Sequence, residues 1–339
     1  MRPTSFDTMN FSHLRKRPLF ALILALLFCM EVQSQPTPRN LASDSGSASD
    51  LIFPAEATPI AEAIYPKMLL LKPDGDGPFP AVMLSHQCGG LVFSKTNPQA
   101  ANWSMLQWAK RFHEAGYVTL LIDFMGSRGA QQVCQGPQAG VTLGRTVKDF
   151  YQSADYLRKL PYVKSDQVAM VGFSQGALIA LFNNSKSFRD EFRQNRGFDA
   201  YVSFYPPCRI MSLGPNKFSI DVVQKDIEKP HLFLLGGADN ETPASDCEAL
   251  LAPIKASGKP VELHTYADET HCWDCKSLDG FSKPGRLGIV KYTYSETATL
   301  DSFNRTKTFL TQRLKLPCCR EFLDDSPRLL RSCIDTLLF

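Results

Sequence analysis

The stretch that decides the fold is residues 167–178, which read QVAMVGFSQGAL. Its apolar first half is typical of a buried strand, and the apolar residues that follow it predict a helix. Between the two lies a Gly-x-Ser-x-Gly turn formed by Gly172, Ser174 and Gly176. A strand, a tight turn and a helix in this order are the context of a nucleophile elbow. The stretch therefore predicts Ser174 as a nucleophile.

A steric requirement explains the two glycines of the turn. Residues two before and two after the serine must be small, because their Cβ atoms would collide across the turn. The helix N-terminus also directs free N–H groups at charge that develops beside the serine. The five-residue pattern is weak by itself, and an ordinary strand-to-helix turn is the alternative. The flanking strand and helix favour the elbow.

Strand and helix patterns alternate on both sides of this stretch. Further strands are predicted at residues 68–71, 80–86, 118–124, 198–205, 231–235 and 260–267, and further helices at 102–115, 142–160, 244–256 and 297–314. Alternation of this kind predicts an α/β fold in which a mostly parallel sheet has helices on both faces.

A serine hydroxyl needs a base, usually histidine, and a group that orients the base. Three histidines follow Ser174, and two of them, His231 and His264, fall within predicted strands, which favours structural roles. His271 lies in the loop after the last strand, where the carboxyl ends of parallel strands form a ligand crevice. His271 is therefore the predicted base.

Asp239 is the predicted orienting acid. It follows the strand at 231–235 in the sequence GGADNETP, whose glycines allow the strand to end abruptly and present a carboxylate. The alternative role for Asp239 is to cap the next helix. Asp246, Asp268 and Glu269 are the other candidates for the acid.

An oxyanion hole requires two N–H donors. The residue after the nucleophile, Gln175, supplies one. The loop after the strand that ends at His86 should supply the other, from Cys88 or, as second choice, from Gln87.

Several short motifs together resemble the dienelactone hydrolase family of α/β hydrolases. Besides the elbow, Asp239 and His271, they are residues 86–91, Trp108, Gly116-Tyr117, Asp123-Phe124, Arg128-Gly129 and Cys134. The resemblance covers residues 63–314. It implies an α/β-hydrolase fold and the hydrolysis of a small-molecule ester or lactone through a covalent acyl-enzyme, with no metal or organic cofactor.

The chain departs from the family at two positions. Dienelactone hydrolase proper has a cysteine nucleophile where this chain has Ser174, which favours a plain serine esterase. The family usually shows His-Gly where this chain has His86-Gln87, so Gln87 is expected to narrow the site or to add a side-chain donor. Arg128 is a candidate for binding a substrate carboxylate, although it could equally bond loop carbonyls.

Ten cysteines are many for a cytosolic enzyme. The expected disulfides are Cys88 with Cys134, Cys208 with Cys247, and Cys318 or Cys319 with Cys333. Cys272 and Cys275 form a C-x-x-C motif beside His271. One of these two cysteines is expected to fix the His271 loop in place through a disulfide. A zinc role is a weaker interpretation, because no second cysteine pair at zinc spacing lies nearby. A redox role is also weaker, because a redox pair is expected to open a helix after a strand.

The N-terminus is typical of a targeting segment. Residues 1–34 combine a basic region with an apolar run too short to span a bilayer comfortably, which predicts a signal peptide cleaved near Ser34 and export to the periplasm or the medium. An uncleaved anchor is the alternative. Residues 35–50 are predicted to be a flexible linker, residues 51–316 the hydrolase domain, and residues 317–339 a cysteine-containing tail.

The formal net charge of +3 is too small to indicate a nucleic-acid partner. After signal cleavage, no stable membrane insertion is expected, and the oligomeric state is left open. Rival functions are a peptidase of the prolyl-oligopeptidase type, an inactive hydrolase fold that serves as a binding protein, and a thiol-redox protein built on Cys272 and Cys275.

Overall fold

The computed structural model describes residues 42–43, 46–92, 101–211, 219–285 and 287–314. The chain divides into two compact units, residues 1–39 and 40–339, and the described residues all belong to the second. The predicted signal peptide and tail, with the predicted bond to Cys333, lie outside the described residues and stay predictions. Among the described residues, no helix combines the length and apolar character needed to cross a bilayer.

Eleven strands and six helices of at least six residues make up the described fold. In chain order the strands are β1 (Leu69–Leu71), β2 (Phe79–Ser85), β3 (Val118–Leu121), β4 (Val163–Phe173), β5 (Ala200–Phe204), β6 (Arg209–Met211), β7 (Ser219–Asp221), β8 (His231–Gly236), β9 (Val261–Tyr266), β10 (Ser282–Gly285) and β11 (Gly288–Lys291). The helices are α1 (Trp103–Glu114), α2 (Leu143–Lys159), α3 (Gln175–Asn183), α4 (Lys186–Glu191), α5 (Ala244–Ala256) and α6 (Glu296–Leu314).

Seven strands form one sheet in the order β1-β3-β2-β4-β5-β8-β9. β1 is antiparallel to β3, and every other neighbouring pair is parallel. The two remaining strand pairs, β6–β7 and β10–β11, are separate antiparallel hairpins. The predicted α/β fold with a mostly parallel sheet is therefore confirmed.

Helices cover both faces of the sheet because strand side chains alternate between the faces. On β2, Ala81 and Met83 belong to the apolar cluster that includes side chains of α2, α3 and α5, whereas Val82 and Leu84 belong to the cluster that includes side chains of α1 and α6. Both sets are fully buried. The continuous apolar runs of the parallel strands follow from this two-sided burial.

Two residues at the C-terminal end of the predicted linker contact buried arginines. Asp50 accepts a hydrogen bond from Arg145 Nη1 at 2.7 Å, and the carbonyl of Ser49 accepts one from Arg128 Nε at 2.9 Å. Arg128 and Arg145 are almost fully buried guanidinium groups, and such groups require acceptors. Residues 49–50 therefore supply acceptors to these two guanidinium groups.

Candidate active site

Ser174 lies between β4 and α3 in a backbone conformation that few residues adopt. Its φ is 50° and its ψ is −108°. A Cβ atom on Gly172 would lie 2.4 Å from the carbonyl oxygen of Gly176, and one on Gly176 would lie 2.4 Å from the carbonyl oxygen of Ser85. Both glycines are therefore needed for the strand and helix to approach each other closely, as the elbow pattern predicts.

The structure brings the three residues of the predicted triad together. Nε2 of His271 lies 3.0 Å from Oγ of Ser174, and Nδ1 of His271 lies 2.8 Å from Oδ2 of Asp239. All three side chains are buried. A nucleophile hydrogen-bonded to a base, which is itself bonded to an orienting carboxylate, is the geometry that activates a serine.

A close contact between two strand ends delivers Asp239 to His271. A Cβ atom on Gly236 would lie 2.5 Å from the carbonyl oxygen of Glu269, and one on Gly237 would lie 2.4 Å from that of Ala267. The absence of side chains there lets the turn after β8 lie directly against the loop that carries His271. The turn glycines thus have the role that the sequence suggests.

Four donors surround the Asp239 carboxylate. Oδ1 accepts hydrogen bonds from the N–H groups of Glu241 and Thr242, and Oδ2 accepts them from Thr242 Oγ1 and His271 Nδ1. Burial raises the pKa of Asp239, but the neighbouring His271 and these hydrogen bonds outweigh it and lower the pKa overall. Asp239 is therefore ionised at neutral pH and can stabilise an imidazolium.

The pKa of His271 is raised overall. Burial alone would lower it, but the charges of Asp239 and then Glu241 outweigh burial. By contrast, burial lowers the pKa of His231 to about 3, and its ring bonds Ser203 and Asn184 inside the sheet. These surroundings agree with a structural role for His231.

The two predicted oxyanion donors border the same region. Gln175 begins α3 directly after Ser174, and Cys88 lines the cavity onto which Ser174 opens. Within the described residues, neither the N–H of Gln175 nor that of Cys88 donates a hydrogen bond to a protein group. Their role as oxyanion donors stays a prediction.

Three disulfides join described cysteines. Cys88–Cys134 and Cys208–Cys247 form as predicted. The third joins Cys272 to Cys275 within the His271 loop and does not link that loop to another element. The reason is a tight turn, in which the N–H of Cys275 donates to the carbonyl of Cys272.

The Cys272–Cys275 bond bears on the zinc interpretation. Cys272, Asp274 and Cys275 place ligand-type atoms within 4.8 Å of one another. With the two sulfurs bonded to each other, neither is the thiolate that a zinc site requires. The Asp274 carboxylate is also occupied, because it accepts hydrogen bonds from Trp108 Nε1 and Tyr205 OH.

Gln87 lies on the cavity wall, and its side chain joins three parts of the site. Its Oε1 accepts a hydrogen bond from Asn102 Nδ2 at 2.7 Å, and its Nε2 donates to Tyr205 OH at 3.1 Å. The same Nε2 lies 3.4 Å from the sulfur of Cys275. Hydrogen bonds to Asn102 and Tyr205 therefore hold the amide in the cavity wall, and its effect on the width of the cavity stays a prediction.

Arg128 is not among the residues that line the cavity, and its candidacy for binding substrate is corrected. Its two terminal nitrogens donate to both oxygens of Asp149, at 2.6 and 2.8 Å, and it also bonds the carbonyls of Ser49 and Phe124. The carbonyl partners are the alternative that the sequence left open for Arg128, whereas Asp149, a buried carboxylate on α2 that needs a cationic partner, was not predicted.

The cavity at Ser174 has a volume of about 240 Å³. Leu278, Phe281 and Tyr292 form its apolar wall together with the cysteines of two disulfides. Two charged residues that the sequence analysis missed, Glu241 and Lys283, also line it. Glu241 follows Asp239 by two residues, and this proximity in sequence was the only available signal for it.

The sequence profile of the dienelactone hydrolase family matches residues 67–314. The chain belongs to the dienelactone hydrolase family. The match spans the elbow, Asp239 and His271, so the resemblance read from the sequence motifs is confirmed.

Solved structures share the fold of this dienelactone hydrolase family member. A putative dienelactone hydrolase from Klebsiella pneumoniae is 16% identical, with 72% of this chain and 92% of that chain covered and a TM-score of 0.54. Thermogutta terrifontis esterase 2 phosphonylated by cyclosarin is 15% identical, with 72% and 88% covered and a TM-score of 0.52. MGS-M1, an α/β hydrolase enzyme from a deep-sea metagenome library, is 16% identical, with 80% and 100% covered and a TM-score of 0.51. The fold is therefore that of the α/β hydrolases.

One curated relative is a peptidase. Dipeptidyl-peptidase 5 of Porphyromonas gingivalis is 24% identical over 266 residues, which are 69% of this chain and 38% of the relative. This family member thus matches about two fifths of the relative's length.

Proposed function

We propose that the protein is a serine hydrolase that cleaves a carboxylic ester or a lactone through an acyl-enzyme on Ser174. The observation that carries the proposal is the continuous contact from Ser174 Oγ to His271 Nε2 and from His271 Nδ1 to Asp239. The family membership and the esterases of the same fold support it.

In the first half of the reaction, Nε2 of His271 takes the proton of Ser174 as Oγ bonds to the substrate carbonyl carbon. The carbonyl electron pair moves onto oxygen, where the N–H groups of Gln175 and Cys88 stabilise it. When the carbonyl re-forms, the bond to the alcohol oxygen breaks, and that oxygen takes the proton from Nε2. Asp239 stabilises the imidazolium for as long as Nε2 carries this proton.

In the second half, water attacks the acyl-enzyme. Nε2 of His271 accepts a proton from the water, and a second tetrahedral intermediate forms. Its collapse breaks the bond to Ser174, whose Oγ regains a proton from Nε2, and the carboxylic acid leaves. The cycle uses only side chains and N–H groups of this chain.

The cavity favours short acyl groups. Its volume of about 240 Å³ lies below the ~300–1,000 Å³ typical of sites for drug-sized ligands. Its wall of Leu278, Phe281 and Tyr292 suits an apolar group. A solved structure of the Thermogutta terrifontis esterase with butyrate bound gives a chain length with which to begin.

The test is hydrolysis of p-nitrophenyl acetate, butyrate and decanoate by the wild type, Ser174→Ala, His271→Ala and the control His264→Ala. We expect kcat/KM to be highest for the two short esters, and both triad variants to lose about 10³–10⁶-fold in kcat. His264 lies on β9 outside the cavity and should tolerate the change. Equal rates in all four proteins would overturn the proposal.

A peptidase is the second candidate, favoured by the similarity to dipeptidyl-peptidase 5. It requires the same triad but an amide substrate. Alanyl-alanyl-p-nitroanilide beside p-nitrophenyl butyrate separates the two candidates, because an esterase should cleave the ester and leave the anilide intact. An inactive binding protein would cleave neither and would leave Ser174 unlabelled by a fluorophosphonate.

We also propose that the protein is exported. The three disulfides among the described residues support this, because such bonds persist in oxidising compartments. N-terminal sequencing of the protein recovered from the cell exterior or periplasm should begin at Gln35. A start at Met1 or Met9 would contradict cleavage.

A further inference from the structure

Glu241 places a second carboxylate beside the catalytic imidazole. Its Oε2 lies 3.9 Å from Nε2 of His271, the nitrogen that faces Ser174. Asp239 contacts the opposite nitrogen, Nδ1. The ring is therefore flanked by a carboxylate at each nitrogen, and the proposed mechanism uses only one of them.

The turn that positions Asp239 also positions Glu241. The N–H of Glu241 donates to Oδ1 of Asp239 at 2.8 Å. The Asn240 side chain between them donates to the carbonyl of Ile289 on β11 at 2.7 Å. The turn is thus fixed both to the triad and to the β10–β11 hairpin.

The hairpin side of the cavity holds the Glu241 carboxylate in place. Lys283 Nζ on β10 lies 2.8 Å from Oε1, and the hydroxyl of Tyr292, which follows β11, donates to Oε2. A quarter of the Glu241 side chain remains exposed. The carboxylate therefore lines the cavity with both oxygens engaged.

The groups that face His271 come from four parts of the fold. Asp239 and Glu241 lie on the turn after β8, Lys283 and Tyr292 on the hairpin, and Tyr205 follows β5 with its ring centre 4.7 Å from the imidazole. Asp274 lies on the same loop as His271 and is bonded to Tyr205. Burial raises the pKa of Glu241, but His271 and Lys283 lower it overall, so Glu241 is ionised at neutral pH.

We infer that Glu241 is a positioning residue that acts through His271, stabilising the imidazolium at Nε2, and that Lys283 limits this stabilisation. The inference rests on the proposed function, in which Nε2 takes the Ser174 proton. An unshielded carboxylate at this distance would raise the pKa of His271 further and leave less of the enzyme with a free base at neutral pH. The Lys283 charge offsets part of this attraction and keeps the base available near neutral pH.

The test is the pH dependence of kcat/KM for p-nitrophenyl butyrate, whose acid limb reports the His271 pKa in the free enzyme. In Glu241→Gln the loss of a negative charge should move the acid limb about 0.5–1 pH unit lower. In Lys283→Met the loss of a positive charge should move it higher. Opposite shifts from two residues that contact each other are not expected from a merely structural role.

The same interaction sets the size of the effect on turnover. One pKa unit corresponds to about a tenfold change in imidazolium stability, so kcat of Glu241→Gln on its plateau should fall by up to about tenfold. Glu241→Asp keeps the charge and should restore most of the acid-limb position. Asp268→Asn is the control, because this exposed carboxylate of the His271 loop lies outside the cavity lining.

A second readout does not depend on turnover. The titration of His271, followed by NMR of protein labelled at histidine Cε1, should shift in the same directions in the two variants. Unchanged His271 pKa values in Glu241→Gln would overturn the inference, even if activity fell. If the His271 titration shifts but the protein cleaves no ester, the interaction between Glu241 and His271 is supported. Only the proposed function is then contradicted.

Discussion

Oγ of Ser174 lies 3.0 Å from Nε2 of His271, although 97 residues separate them in the sequence. The sheet explains the contact. Ser174 follows β4 and His271 follows β9, and only β5 and β8 lie between these strands. Because the four strands are parallel, their carboxyl ends meet at one edge, and the loops that leave them converge there.

Asp239→Asn should lower kcat for p-nitrophenyl butyrate by about 10⁴-fold. An amide at this position no longer fixes the imidazole tautomer, so Nε2 loses its lone pair toward Ser174. Steady-state kinetics measure the loss, and circular dichroism checks that the fold is retained. Asp239→Asn with more than a tenth of wild-type kcat would argue that another acid, such as Glu241, orients His271.

Gly176→Ala should abolish activity and lower the free energy of unfolding by about 2–3 kcal/mol, because the added Cβ would collide with the carbonyl of Ser85. Gly116→Ala is the control. Gly116 has a φ of 86° with no atom within 4 Å of a built Cβ, so it should cost about 1 kcal/mol through backbone strain and leave kcat unchanged. Urea denaturation and ester hydrolysis measure both quantities. Full activity in Gly176→Ala would show that the elbow can accommodate a Cβ atom at this position, contrary to the structure.

Two disulfides of similar loop size should differ in their effect on catalysis. Replacing both Cys88 and Cys134 by serine, or both Cys208 and Cys247, opens loops of 46 and 39 residues and should lower the free energy of unfolding by about 3–4 kcal/mol in each case. Only the first pair should lower kcat, by at least about tenfold, because Cys88 carries a proposed oxyanion N–H. Loss of kcat in both double variants, or in neither, would contradict this assignment.

The cavity should prefer neutral substrates to anionic ones. Among the described residues that line it, Lys283 is the cationic side chain, and its charge is paired with Glu241. Arg128 is paired with Asp149. We therefore expect kcat/KM for the mono-p-nitrophenyl ester of succinate to be at least about tenfold lower than for its methyl ester, which has a similar shape without the charge. A preference for the free carboxylate would mean that Lys283 breaks its ion pair with Glu241 and binds the substrate instead.

Local patterns in the sequence were sufficient to predict the seven strands of the main sheet, five of the six helices and the three residues of the triad, Ser174, Asp239 and His271. The elbow depends on Gly172 and Gly176, and the strand ends follow from apolar runs, so both are visible within short windows.

The β10–β11 hairpin was predicted as loop because its strands of four residues carry a proline and glycines. The Glu241–Lys283 pair was not predicted either, because nothing in the local sequence indicates that the hairpin packs over the turn after β8. The ion pair of Arg128 was not predicted, because its buried partner, Asp149, lies 21 residues away on a helix.

The most direct test of the central claim is covalent labelling by a fluorophosphonate, followed by intact-protein and peptide mass spectrometry. The account predicts one adduct per chain, on Ser174, with labelling abolished in Ser174→Ala and strongly slowed in His271→Ala. An unlabelled wild type, or Ser174→Ala labelled to the same extent, would contradict the assignment of Ser174 as an activated nucleophile.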